Sequence, residues 1–249
     1  MLPVIRQILF GKKHYIPIRH SAGTFDFSIT NGLNVLWVFS DGSVSTAAHP
    51  NVAVSAGTTK LYADNLNAAN IQLNDNASNA MVLLDLADLQ GKLIYLLDLA
   101  GCTNVTGSLA DLQGKLTYYL NLAHCAGVTG SLADLQGKLT YHLDLYNCTH
   151  ITGDLGDLDG NLTNYLDLTN CAGVTGVYTP VGTGTPTVTI LTGTGLSAAD
   201  MDNTLIAYAA GSKDNGKFTA TGKNRTAASD AAITTLEGRG WTISGLTKV

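Results

Sequence analysis

Apolar and polar positions along the middle of this chain repeat in a single frame. Residues 86–108 read LADLQGKLIYLLDLAGCTNVTGS and residues 109–131 read LADLQGKLTYYLNLAHCAGVTGS; residues 132–154 and 155–177 keep the same order of leucines, polar residues and glycines. A 23-residue period of this kind predicts a solenoid, in which each unit buries its apolar side only by stacking on the next. Inside a unit the L-x-L pair, Leu143 and Leu145 in the third, predicts a strand with both leucines facing inward. Ser131 and Asp134 have the S-x-x-D form of a capping box, which predicts a short helix over SLADLQ with Gly137 at its end. Ile151-Thr152-Gly153 is read as the turn of the chain.

The pattern changes on either side. Residues 62–85 read as a degenerate first unit, in which Ile71-x-Leu73-x-x-Asn76 copies the repeat core with Asn in place of Cys. Residues 21–61 predict a small β region: FDFSIT and NVLWVFS are rich in β-branched and aromatic residues, and Asp41-Gly42 is a hairpin signal. After Gly176 the period loosens. TVTIL (187–191), KFTAT (217–221) and WTISG predict strands. LSAADMDNTLIAYAAG (196–211) predicts a helix with Ser197 as N-cap and Asp200 at N3, and SDAAITTLE (229–237) a second helix led by Ser229. Residues 178–249 are therefore expected to be α/β units ending in a C-terminal cap.

Composition narrows the function classes. Charged residues make up 13% of the 249 residues and the net charge is −5, with no long basic run, which argues against sequence-independent nucleic-acid binding. No stretch approaches the roughly 20 apolar residues of a membrane span. The opening MLPVIRQILFGKKHYIP makes a poor secretory signal because basic residues interrupt or follow its apolar patch. Residues 1–20 are expected to be an arm or anchor that docks on a neighbouring chain or onto the body of the protein, which is expected to be part of an oligomeric assembly. Cys102, Cys125, Cys148 and Cys171, the chain's four cysteines, recur with the period. They are expected to be reduced, stacked core residues, without the paired Cys/His spacing of a zinc site.

A short strand on one side, a short helix on the other and Asn or Cys at a fixed position resemble the leucine-rich-repeat family over residues 62–177. That resemblance implies an α/β solenoid with one strand and one helix per unit. The segment Trp37-Val-Phe39-Ser-Asp41-Gly42-Ser43-Val-Ser45 resembles the W-x-F-x-D-G-[ST]-x-[ST] signature of PKD-type β-sandwich domains, although residues 21–61 are less than a whole sandwich. The C-terminal tail is similar to those that follow leucine-rich repeats in some bacterial surface and bacteriophage proteins.

Candidate chemistry lies on the strand positions between the inward leucines, which in a leucine-rich repeat line the concave face. Three columns follow: Leu96, Tyr119, His142, Tyr165; then Asp98, Asn121, Asp144, Asp167; then Ala100, Ala123, Tyr146, Thr169. Aromatic rings beside carboxylates and an amide are the groups that hold sugars. Other chemistries fit worse. A paired-carboxylate glycosidase needs a cleft, and calcium needs more oxygens than the column supplies. His142 and Asp144 have no nucleophile placed with them. Gly193-x-Gly195-x-x-Ala198 has the form of a dinucleotide fingerprint, but KFTAT does not end in the acid that would hold a ribose. No metal and no cofactor is expected. The expected function is a non-enzymatic structural and binding protein, a bacteriophage virion component (decoration, fibre or receptor-binding) that presents the repeat face to a host glycan or protein. The alternative is a bacterial surface adhesin or a cytosolic interaction module.

Overall fold

The computed structural model describes residues 15–30, 34–63, 70–72, 82–89, 94–112, 116–137 and 139–249. Its first part is antiparallel. Strand β1 (Ile16–His20) pairs with β7 (Gly57–Ala63), β7 with β4 (Val35–Val38), and β4 with β5 (Val44–Ser45); β2 (Gly23–Asp26) pairs separately with β6 (Asn51–Val54). Aromatic burial drives this unit. Phe25 meets Phe27, Trp37 and Phe39 edge-on at 4.4, 5.4 and 5.4 Å, the geometry that ring quadrupoles favour. The W-x-F-x-D-G motif thus has a physical reading. Trp37 and Phe39 enter the core, and Asp41-Gly42 makes the turn, with Gly42 at φ +86° and the Asp41 carboxylate accepting from the Ser43 N–H. Of the expected N-terminal arm, residues 16–20 form β1, while residues 1–14 lie outside the described residues.

Strand β3 (Ser28–Thr30) and β8 (Asn70–Gln72) tie this unit to the repeats. Strand β8 runs parallel to β9 (Ile94–Asp98), with Ile71 opposite Leu97, as the degenerate first unit requires; Leu73 and Asn76 lie outside the described residues. Each repeat then contributes two strands. Strands β9, β11 (Leu116–Asn121), β13 (His142–Asp144) and β15 (Tyr165–Asp167) stack in parallel at the repeat period: Leu120 faces Leu97 and Leu143, and Leu143 faces Leu166. Strands β10 (Thr106–Ser108), β12 (Gly127–Ser131), β14 (His150–Asp154) and β16 (Gly173–Thr175) form a second parallel sheet. Between the sheets lie columns of leucine, valine and cysteine, among them Leu120, Leu122, Cys125 and Val128, all with 0% exposure.

The expected α/β class with a helix in every unit is overturned. The protein is mostly β, and its described residues hold two α-helices, both beyond the repeats. SLADLQ forms only a four-residue 3-10 turn, Leu132–Leu135, with counterparts at Leu86–Leu89, Leu109–Leu112 and Leu155–Leu158. The capping box is real: Ser131 Oγ accepts from Ala133 N–H at 3.2 Å and Asp134 Oδ2 accepts from Ser131 N–H at 3.0 Å. A cap starts a helical turn but does not set its length. Length is set by the second strand, which takes Val128–Ser131, the counterpart of the Ile151-Thr152-Gly153 segment expected to turn the chain. Gly130 explains why this segment is a strand. It lies at φ +122°, and a Cβ there would come within 2.9 Å of the Leu109 backbone nitrogen, just after the paired strand β10. The glycine serves close approach between stacked strands rather than chain reversal.

Beyond the repeats, β17 (Val188–Ile190), helix α1 (Ala198–Ala210), β18 (Lys217–Arg225), helix α2 (Asp230–Gly238) and β19 (Thr242–Lys248) extend the first sheet to nine strands, from β3 at one edge to β19 at the other. Ser197 and Asp200 cap α1 as expected, the Ser197 hydroxyl accepting from Asp200 N–H at 3.1 Å. Ser229 does not cap α2. Its hydroxyl donates to the buried Asp202 at 2.6 Å, and Thr226 caps the preceding short turn instead. One apolar cluster runs from Ile16 to Trp241 through every unit. No helix among the described residues is long and apolar enough to cross a membrane.

Candidate functional site

The outer face of the nine-stranded sheet carries the predicted residues in two straight rows. In register, the first reads Asn70, Leu96, Tyr119, His142, Tyr165, Val188, Lys217, Thr242, and the second Gln72, Asp98, Asn121, Asp144, Asp167, Ile190, Thr219, Ser244. Neighbouring strands in a sheet lie about 4.8 Å apart, so each side chain sits directly above the next.

The acid and amide rungs share one local device. Oδ1 of Asp98, Asn121, Asp144 and Asp167 accepts the backbone N–H two residues on, at 3.1, 3.0, 2.9 and 2.8 Å. These Asx turns end each strand. One oxygen of every rung is therefore structural, and the residues of the third column, Ala100, Ala123, Tyr146 and Thr169, supply the N–H groups. Asp98 and Asp167 are sunk to 6% and 5% exposure, whereas Asn121 and Asp144 are half-buried. Burial pushes the Asp144 carboxyl up to about 6, and the charges of Asp167 and Asp98 push the same way. Asp98 is raised too, by burial.

The aromatic rungs stack on one another. Tyr119 and His142 are parallel at 4.0 Å, and His142 and Tyr165 at 4.7 Å. The expectation that these rings lay their faces on a sugar is corrected by this geometry: His142 has both faces covered, and the column offers mainly ring edges. Burial between the two rings holds the His142 imidazole down to about 4, so it is uncharged at neutral pH and supplies no countercharge to the acids. Burial, followed by the charge of Asp98, lifts the Tyr119 phenol to about 12. Tyr165 donates to Asp167 Oδ2 at 3.2 Å. Tyr146 stands apart from this stack, with its ring edge against His124 at 4.8 Å.

A second aromatic column was missed. Tyr95, Tyr118 and Tyr141 stack at 4.5 Å per step with rings 9° and 7° from parallel. Their signal was the same 23-residue spacing. Strict period-2 alternation assigns these positions to the inside of the sheet, but they lie at the strand starts, where the chain emerges from the preceding segment. Tyr95 is accordingly 37% exposed.

The cysteines stack inside, as expected. Cys125, Cys148 and Cys171 each donate the thiol to the carbonyl of Leu99, Leu122 or Leu145 in the preceding unit, at 3.2, 3.0 and 3.2 Å. Burial pushes the Cys102 and Cys148 thiols up to about 12. An Ellman titration of the native protein should therefore detect almost none of the four thiols, and all four after denaturation; rapid native labelling would contradict this packing. The Gly195 of the nucleotide-like motif also has a packing role, since a Cβ there would lie 2.5 Å from the Ala172 carbonyl oxygen. Among the described residues, no group of three or more His, Cys, Asp and Glu side chains is placed to hold a metal.

Comparison with known proteins returns nothing: no family model matches the chain, and no curated protein or solved structure is significantly similar to it. The leucine-rich-repeat and PKD-type resemblances rest on their motifs alone.

Proposed function

We propose that the protein is a non-enzymatic structural and binding component of a virion or cell surface, which meets a glycan or protein partner through the acid ladder and its aromatic neighbours. The observation that carries this reading is the in-register run of Asp98, Asn121, Asp144 and Asp167 beside Tyr119, His142 and Tyr165. A shallow array repeating every about 4.8 Å suits an extended or repeating target. The reachable groups, Asn121 and Asp144, take hydroxyl or ammonium donors, and the ring edges supply apolar contact. Hydrolysis fits less well. The carboxyls project side by side from one sheet, whereas a glycosidase sets its two acids about 5–9.5 Å apart on either side of the scissile bond.

The test uses purified bacterial lipopolysaccharides and capsular polysaccharides as immobilised probes. At least one should bind the full chain. Asp144→Asn and Tyr119→Phe should each weaken that binding about tenfold, because they keep the Asx turn and the ring stack while removing the charge or the hydroxyl. Equal binding by both variants, or cleavage of a bound polysaccharide, would sink the reading.

A further inference from the structure

The ladder is not the only place where polar groups converge. A cleft of about 280 Å³ lies at the starts of β15, β17 and β18, where the last repeat meets the first C-terminal unit; Thr163, Thr183, Thr185, Ser212, Lys213 and Asp214 line it. That is near the lower size limit of small-molecule sites, about 300 Å³. Four of the lining residues carry hydroxyls, beside one cation and one carboxylate, so the net charge of the lining is close to zero. The Lys213 ammonium donates to the Thr163 carbonyl at 3.3 Å, which fixes it at the wall. Asp214 is 60% exposed and lies 3.9 Å from the Arg239 guanidinium. Thr185 is almost fully buried, at 2% exposure.

The tyrosine column ends in the unit before this cleft. The stack of Tyr95, Tyr118 and Tyr141 ends at Tyr141, because the next unit carries Asn164 at that position. Asn164 and the cleft residue Thr163 are bonded directly to this segment: Asn164 N–H donates to the Tyr141 carbonyl at 3.0 Å, and the Thr163 hydroxyl to the Thr140 carbonyl at 3.0 Å. Tyr141 is thus the last ring of the column, and its backbone, not its ring, adjoins the cleft segment.

We infer that this cleft binds a single neutral pyranose unit, such as the end of a glycan chain, with Asp214 and the hydroxyls of Thr183 and Ser212 on the sugar hydroxyls. A neutral polyhydroxyl ligand matches a wall in which donors and acceptors outnumber charges. An anion would meet one lysine in the lining, whose ammonium is already engaged by the Thr163 carbonyl, and would face the Asp214 carboxylate, which Arg239 at 3.9 Å offsets only in part. The cleft is separate from the acid ladder, and its occupancy does not depend on what the ladder holds.

Saturation-transfer NMR on the full chain tests this with glucose, galactose, mannose and N-acetylglucosamine, and with inorganic phosphate in competition. At least one sugar should receive saturation and bind in the millimolar range, unaffected by phosphate. Asp214→Ala should weaken it at least tenfold, and Ser212→Tyr, which fills the cleft from an exposed position, should abolish it. If one variant fails to fold by circular dichroism, the other decides. No binding by any of the four sugars overturns the inference, as does competition by phosphate. Binding that survives both cleft variants but is lost in Asp144→Asn places the sugar on the ladder, and overturns the cleft while leaving the ladder reading intact.

Discussion

Leu143→Ala lowers the unfolding free energy by about 2–5 kcal/mol, the range for a leucine truncated in a packed core. Leu143 has 0% exposure and sits in register between Leu120 and Leu166, which are equally buried. The lost side chain therefore leaves a hole in the middle of a continuous leucine column, and the flanking leucines are held by their own strands and cannot close it. A repeat stack is stabilised mainly by contacts between nearest neighbours, so a hole in the middle weakens the link between the two halves as well as the total. Nature has placed a reporter in each half. Trp37 lies in the N-terminal unit and Trp241 in the last one, both buried. In urea, the fluorescence transitions of single-tryptophan versions should coincide for the parent and move to lower urea in Leu143→Ala, with Trp37 and Trp241 separating. Leu143→Met, which nearly conserves volume, should cost less than about 1.5 kcal/mol. A loss below about 1 kcal/mol on truncation to alanine would mean that the column does not carry the stability assigned to it here.

Much of this arrangement was legible in the sequence because it depends on period alone. The L-x-L strand, the inward cysteines, the alignment of Ile71 with the repeat core and the capping of α1 by Ser197 all follow from spacing and side-chain chemistry. What spacing could not supply was the competition within a unit. A capping box announces a helical turn, yet Val128-Thr129-Gly130-Ser131 also has a claim to be a strand, and a 23-residue unit with two strands leaves room for only a four-residue helical turn. The decisive contact, Gly130 against the backbone just after the paired strand β10, is between stacked strands and has no signature in the local pattern. The site shows the same division. Which residues share a row was readable from the period. That the rings would cover one another, and that half of each carboxylate would be spent on an Asx turn, depends on stacking distance and strand ends, which the one-dimensional pattern does not contain.

That Asx turn makes Asp144→Asn an informative change. Asparagine keeps the Oδ1 that accepts the Tyr146 N–H at 2.9 Å, and the protein already uses it at Asn121 on the neighbouring rung. Only the charge is lost. In the folded chain the Asp144 carboxyl keeps its proton up to about pH 6, against an ordinary value of 3.8. The native state therefore binds more protons than the unfolded state between those values, and stability from this group is full below about pH 4 and falls as pH rises to about 6. Above that pH the buried carboxylate faces Asp167 on the next rung with no cation in its row, since the row continues through Ile190, Thr219 and Ser244. Asp144→Asn should accordingly raise stability by about 1–2 kcal/mol at pH 7.5, after allowance for the partial exposure of the site, and change it little at pH 3.5. Paired urea titrations across this range isolate the effect, because carboxyls remote from the ladder contribute equally to both curves, and the difference reads Asp144 together with its coupling to Asp167 and Asp98. A difference that stays flat from pH 3.5 to 7.5 would show that Asp144 is fully solvated in the folded chain. A difference of the opposite sign would show that its charge is neutralised by a partner, which is the state a bound cation would create on this face.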